Sequence, residues 1–182
     1  MLFLFTLLAI ALLIVYAVFS AARDRTDRTT VPVLDLDRYM GVWYEIARFD
    51  RPFERHLNDV TALYSRKPDG RIGVVNRGVD SRTGKERVAC GKARPGRVPG
   101  VLKVSFFWIF YSDYRVLELA PDYSWSLVGG NSAASLWVLA RAPRLPQREM
   151  ERILELARQR GYDTSRLLFT QEDRTASARG KS

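Results

Sequence analysis

Between Tyr39 and Ala140 the chain is cut into eight short runs of strand character. The first covers 39–50, and the others fall at 60–65, 71–79, 85–93, 101–107, 113–119, 124–129 and 135–140. Pro68-Asp69-Gly70, Ser81-Arg82-Thr83-Gly84, Arg94-Pro95-Gly96, Ser112-Asp113, Pro121-Asp122 and Gly130-Asn131-Ser132 separate them. Those residue types supply the backbone freedom or local hydrogen bonds that tight turns need. Regular short strands joined by hairpin turns leave two architectures, an up-and-down barrel or a sandwich. Eight strands suffice to close a barrel wide enough for one small ligand.

After the eighth run the period changes. Met150, Ile153, Leu154 and Ala157 recur at i, i+3, i+4, i+7, which predicts an amphipathic helix over 146–161. Pro146 suits its start and Gly161 its stop. A helix packed on the outside of the sheet is the expected use. Residues 166–170 follow as a short ninth strand, and 172–182 are polar and without periodicity, a frayed tail. At the other end, residues 36–40 predict a helical turn ahead of the first strand.

That first strand carries the most specific pattern in the chain. In Gly41-Val42-Trp43-Tyr44-Glu45-Ile46-Ala47-Arg48-Phe49-Asp50, alternation puts Trp43, Glu45, Ala47 and Phe49 on one face and Val42, Tyr44, Ile46 and Arg48 on the other. Both faces are largely apolar, so both are covered or one lines an apolar cavity. Gly41-x-Trp43-Tyr44, extended through Asp50 and followed by Phe53-Glu54-Arg55, resembles the opening motif of the lipocalins, in particular the bacterial outer-membrane branch related to apolipoprotein D. Two further motifs agree. Asp113-Tyr114 enters the sixth strand with Ser112 where the family has threonine, and Leu136-Trp137-Val138-Leu139-Ala140-Arg141 resembles the third family motif.

The resemblance covers roughly 31–171 and implies an all-β fold: an eight-stranded antiparallel up-and-down β-barrel, the lipocalin calyx, with a C-terminal helix and a short ninth strand. It also implies that Arg141 packs across Trp43 at the closed end, with Gly41, Tyr44 and Asp113 as structural motif positions. A cation over an indole contributes about 1–2 kcal/mol when desolvated.

Enzyme chemistry has little to work with. The chain has one histidine (His56) and one cysteine (Cys90), too few for a His/Cys metal centre, and no metal or cofactor is expected. No glycine-rich phosphate loop, Gly-x-Ser-x-Gly elbow or His-Glu-x-x-His occurs. Cys90 cannot form an intrachain disulfide; a buried thiol is expected, with an intermolecular bridge as the alternative.

A binding module fits better. Alternation on the fifth strand sets Leu102, Val104 and Phe106 against Lys103 and Ser105, the clearest inside–outside signal. With Trp43 inward, as the family implies, the expected ligand-facing set is Phe49, Ala62, Tyr64, Val74, Asn76, Leu102, Val104, Phe106, Tyr114, Trp137 and Leu139. Glu118 shares the face of Tyr114 and Val116, which leaves the phase of the sixth strand open, and Glu45 shares that of Trp43, so it needs a partner near the floor or a polar ligand group. An apolar calyx with few polar groups suits a fatty acid or lysophospholipid, bound and carried without chemistry. Two alternatives stay open: a lipocalin enzyme acting on a lipophilic substrate, and a structural protein whose barrel is filled by its own side chains.

The formal net charge is +9, all of it after Ala22. The arginines are scattered and often beside Asp or Glu, so nucleic acid is not expected; the densest group, Arg82, Lys85, Arg87, Lys92, Arg94 and Arg97, reads first as a solvated hairpin face, with contact to anionic lipid head groups as the functional alternative. Residues 2–19 carry no charge and would span about 27 Å as a helix, close to the bilayer core. Either a signal peptide or an uncleaved anchor in 1–22 fits, followed by a polar linker over 23–30. With the only cysteine far downstream, the lipid-modified N-terminal cysteine of the bacterial relatives has no counterpart. Envelope attachment by the hydrophobic segment, with the domain outside the cytoplasm, is the expectation. Orientation and homodimerisation stay open.

Overall fold

The computed structural model describes residues 26–52, 54–107 and 109–171. The expected hydrophobic anchor and the tail lie outside these residues. A four-residue helix α1 (Leu36–Tyr39) leads into β1 (Gly41–Phe49), and β2 (Leu57–Arg66), β3 (Ile72–Asp80), β4 (Glu86–Pro95), β5 (Val101–Phe107), β6 (Phe110–Leu119), β7 (Trp125–Gly129) and β8 (Leu136–Ala140) follow. Helix α2 (Gln147–Gln159), a 3₁₀ turn (Thr164–Arg166) and β9 (Leu167–Phe169) complete the order. Every neighbouring pair is antiparallel. β1 closes the barrel by pairing with β2 through Gly41–Tyr44 and with β8 through Tyr44–Arg48. Beyond Tyr44, β2 leaves this edge and β9 takes its place against Ala47–Phe49.

Two β-bulges decide which side chains face inward. On β1, Glu45 pairs with Leu139 and Ala47 with Val138, so Ile46 is an extra residue. A bulge reverses the phase of alternation beyond it. Trp43, Glu45 and then Arg48 point into the barrel, while Ala47 and Phe49 point out. The expectation that Phe49 lines the interior is therefore corrected: its ring is buried on the outer face, 6.3 Å from Tyr162 and with the Arg166 guanidinium 4.8 Å above it. On β6, Leu117 is the extra residue between Val116 and Glu118. That resolves the phase problem there, for Val116 faces in and Glu118 faces out to Arg160 at 2.8 Å.

Two apolar clusters result. The outer one packs Ile153 and Ala157 of α2 against Phe49, Leu117, Trp125, Leu127, Leu136 and Val138. Trp125 donates its indole N–H to Glu149 Oε2 at 3.0 Å, fixing the helix on this face. Gly161, at φ +84°, ends the helix in a conformation that other residues adopt at a cost. The inner cluster fills the closed end: Tyr39, Trp43, Ala62, Tyr64, Ile72, Val74, Ala93, Leu102, Val116, Val128 and Leu139. Cys90 is exposed, contrary to the expectation of a buried thiol. It lies on the outer side of β4, which α2 does not cover.

Candidate functional site: the barrel interior

The floor is built first by local rules. Asp35 caps α1 by accepting from the backbone N–H groups of Asp37 and Arg38. This sets Tyr39 so that its carbonyl accepts the Trp43 indole N–H at 2.9 Å. Arg141 lies over the Trp43 ring at 3.9 Å and donates to the carbonyls of Val42 (2.8 Å) and Arg38 (2.7 Å). Gly41, at φ +96°, sits where a Cβ would come 3.3 Å from the Arg141 Nη1. Above the floor the Tyr39 hydroxyl bonds that of Tyr114 at 2.7 Å and Ser126 Oγ at 3.2 Å, and the Tyr64 ring meets both tyrosine rings edge-on. Burial pushes Tyr39 up to about 12 and raises Tyr64 and Tyr114 as well, so all three stay neutral hydrogen-bonding groups at physiological pH.

The other end is different. Register places Asn76 opposite Ala89 and Val74 opposite Gly91, and Gly91 lies against the Phe106 ring, where a Cβ would come within 2.8 Å. These residues share the inward face with Val104, Tyr114 and Trp137. Yet Asn76, Val104, Tyr114 and Trp137 are only half-buried, Ala89 is exposed and Phe106 is 46% exposed. Side chains that point inward and still reach solvent mark an open space above a packed floor. The Asn76 Oδ1 is buried in that wall with no hydrogen-bond partner among the described residues.

A charged cluster stands beside this opening. Arg48, 2% exposed, donates to Glu45 Oε1 at 2.6 Å and to the carbonyls of Glu54 (2.6 Å) and Leu57 (3.1 Å). It thereby holds the β1–β2 loop down on the barrel. The extra residue on β1 leaves the Glu45 carbonyl off the ladder, and Thr170 and Gln171 donate to it at 2.8 and 2.7 Å. Glu54 Oε2 accepts from the Trp137 indole N–H at 3.3 Å. Burial and then the negative charge of Glu45 push the Glu54 carboxyl up to about 7, against the opposing pull of Arg48 and the Trp137 hydrogen bond. Burial also raises Glu45, and its pairing with Arg48 limits the rise.

The residues expected to face a ligand therefore divide. Val104, Phe106, Tyr114, Trp137 and Asn76 surround the open space. Ala62, Tyr64, Val74, Leu102 and Leu139 point inward but belong to the packed lower half. Phe49 is outside. Asp113 is structural at the barrel wall. Burial acts to raise its carboxyl, and Lys103 (its hydrogen-bonded partner) together with Arg115 at 2.9 Å holds it below the usual range. Around the opening, sequence reading missed four positions. Ala89 and Gly91 had a visible signal, because small residues alternate along Ala89-x-Gly91-x-Ala93 on the inner face of β4. Arg48 and Glu54 had none, because one depends on the bulge and the other on a loop. A groove of about 410 Å³, open to solvent, lies outside the closed end between residues 32–36 and 95–102.

A barrel plugged at one end by an arginine–tryptophan stack, open at the other and flanked by one helix is a calyx of the kind that encloses small molecules. The chain matches the lipocalin-like domain over residues 34–172 and belongs to that family. It is 43% identical over 146 residues to the outer membrane lipoprotein Blc of Vibrio cholerae, covering 78% of this chain and 85% of that protein. It is 33% identical over 161 residues to temperature-induced lipocalin-1 of Arabidopsis thaliana, covering 84% and 87%. Among solved structures the cockroach allergen Per a 4 superposes with a TM-score of 0.65 at 16% identity, over 82% of this chain and 96% of that one, a likeness of fold.

Proposed function

We propose that the protein binds and carries single-chain lipids, fatty acids or lysophospholipids, in the upper half of the barrel, with the polar head at the mouth and without chemical turnover. The observation that carries this reading is the inward-facing, solvent-open wall of Asn76, Ala89, Val104, Phe106, Tyr114 and Trp137 above a packed floor. Each buried methylene contributes about 0.8 kcal/mol, so a long acyl chain offsets the costs of binding and reaches micromolar affinity. Asn76 Oδ1, buried without a hydrogen-bond partner among the described residues, offers a polar contact that orients a head group. Membership of the lipocalin-like family and likeness to outer membrane lipoproteins support carriage in the cell envelope. Attachment there is assigned to residues 1–22, on the uncharged apolar run of residues 2–19.

The test is a titration of residues 26–182 with a fluorescent fatty acid, followed by competition with lysophospholipid. Saturable binding that weakens about tenfold on Trp137→Ala, with unchanged circular dichroism, is the expected result; tenfold corresponds to about 1.4 kcal/mol. A folded domain that binds no acyl chain of any length would overturn the proposal.

A further inference from the structure

The β5–β6 turn stands at the mouth of the barrel, and its apolar side chains face water. Phe107 is 73% exposed, Ile109 64% and Phe110 68%. Apart from Phe106 of the calyx wall, the other exposed large apolar residues of the described chain stand singly or as pairs, Val42–Leu63 across β1 and β2 and Leu168–Phe169 on β9. A contiguous exposed apolar group of this kind marks an interaction surface. The Phe107 and Phe110 rings are stacked, 6.3 Å between centroids and 18° between planes, so the tip presents a preformed apolar plate.

Behind the plate the chemistry changes. Tyr111 follows on β6, with the Lys92 Nζ 5.8 Å and the Arg94 guanidinium 5.1 Å from its ring centre. Across residues 80–94, the turn and second strand of the neighbouring hairpin, five cations (Arg82, Lys85, Arg87, Lys92, Arg94) stand against two carboxylates (Asp80, Glu86). Glu86 is paired with Arg77 at 3.3 Å and Asp80 with Arg82 and Arg87 at 3.4 Å each. Along β5 and β6 the rings at the tip are followed by Tyr111 and then by Lys92 and Arg94, while Arg82, Lys85 and Arg87 stand at the mouth beside the tip; rings, then a tyrosine, then cations is the order in which a lipid interface receives side chains. Rings enter the acyl boundary, tyrosine sits at head-group depth, and Lys and Arg meet the phosphates.

We propose that the β5–β6 turn is a docking finger that seats the mouth of the barrel on an anionic lipid bilayer. The charge favours a bilayer over a second copy of the chain, because two tips brought together would also bring their cations together, whereas anionic head groups neutralise them. The finger and the chain's entry are at opposite ends. Thr30 bonds the Pro99 carbonyl beside the closed end, while Phe107 lies a full strand away, about 20 Å at about 3.3 Å per residue. The membrane that holds the N-terminal segment therefore does not by itself dictate which lipid surface the finger meets. Docking does not depend on what the calyx carries.

The experiment uses the full chain with Cys90→Ser, reconstituted in phosphatidylcholine vesicles with or without phosphatidylglycerol. A nitrobenzoxadiazole label is placed at Ile109→Cys or, as the closed-end control, at Val98→Cys, which is 55% exposed. Spin-labelled quencher lipid is included either in the same vesicles or in added ones. Quenching several-fold stronger at position 109 than at 98 is expected in at least one arm. It should require phosphatidylglycerol, weaken at high salt and disappear with Phe107→Asp/Phe110→Asp while circular dichroism is unchanged. Equal quenching at both positions, no quenching in either arm, or disulfide linkage of the unlabelled Ile109→Cys chain between two copies would overturn the proposal.

Discussion

Glu54→Gln isolates the electrostatic cost of the charged cluster beside the mouth. In the folded protein Glu54 faces Glu45, Arg48, Arg51 and Trp137, and its carboxyl is held at about 7 instead of the ordinary 4.5. Below pH 4.5 folded and unfolded chains both hold the proton. Between 4.5 and about 7 the folded chain keeps a proton that the unfolded chain has lost, so stability falls as pH rises and the whole loss is present above about 7. At about 1.4 kcal/mol per pH unit the ceiling is about 3 kcal/mol, and about 1–2 kcal/mol is expected once solvent screening at this half-buried site is allowed for. Glutamine has nearly the same shape, its amide oxygen can accept the Trp137 N–H, and it carries no charge. Urea unfolding at intervals from pH 4 to 8 should therefore show the two proteins alike at pH 4 and the variant more stable by about 1–2 kcal/mol at pH 8. Carboxylates held low, such as Asp80 and Asp113, titrate in both proteins and cancel in the difference. Parallel stability curves across the range would refute the reasoning.

Phe49→Ala should lower stability by about 3–5 kcal/mol, because a buried ring leaves the outer interface, yet leave the affinity for a fluorescent fatty acid unchanged. A loss of affinity with stability retained would put Phe49 back in the calyx. Arg141→Met should cost about 2–4 kcal/mol in urea unfolding, from the lost cation–indole contact and the two orphaned carbonyls of Val42 and Arg38. Arg141→Lys should not restore it, since one ammonium cannot serve both carbonyls and cover the ring as a planar fork does. A cost below about 0.5 kcal/mol would reduce the stack to a surface contact.

The eight strands, their order and the flanking helix were legible because those signals are local. Turn residues recur at short intervals, Leu102-x-Val104-x-Phe106 alternates, and Met150, Ile153, Leu154 and Ala157 repeat at helical spacing. The Arg141–Trp43 stack was legible through motif resemblance, and the structure shows its geometry. What was not legible depends on partners. Alternation along β1 is a property of the strand, but the extra residue Ile46 exists only relative to β8, and it alone turns Phe49 outward and Arg48 inward. Nor does the run Val88-Ala89-Cys90-Gly91 say which of its faces meets water. Its outer face is exposed because α2 covers the other side of the barrel, around Trp125 and Leu127. Sequence determined the period of each element, since period follows from how neighbouring residues project from one backbone. Tertiary structure decided the phase of that period and which faces are covered, since both are set by strands and a helix that lie far away in the chain.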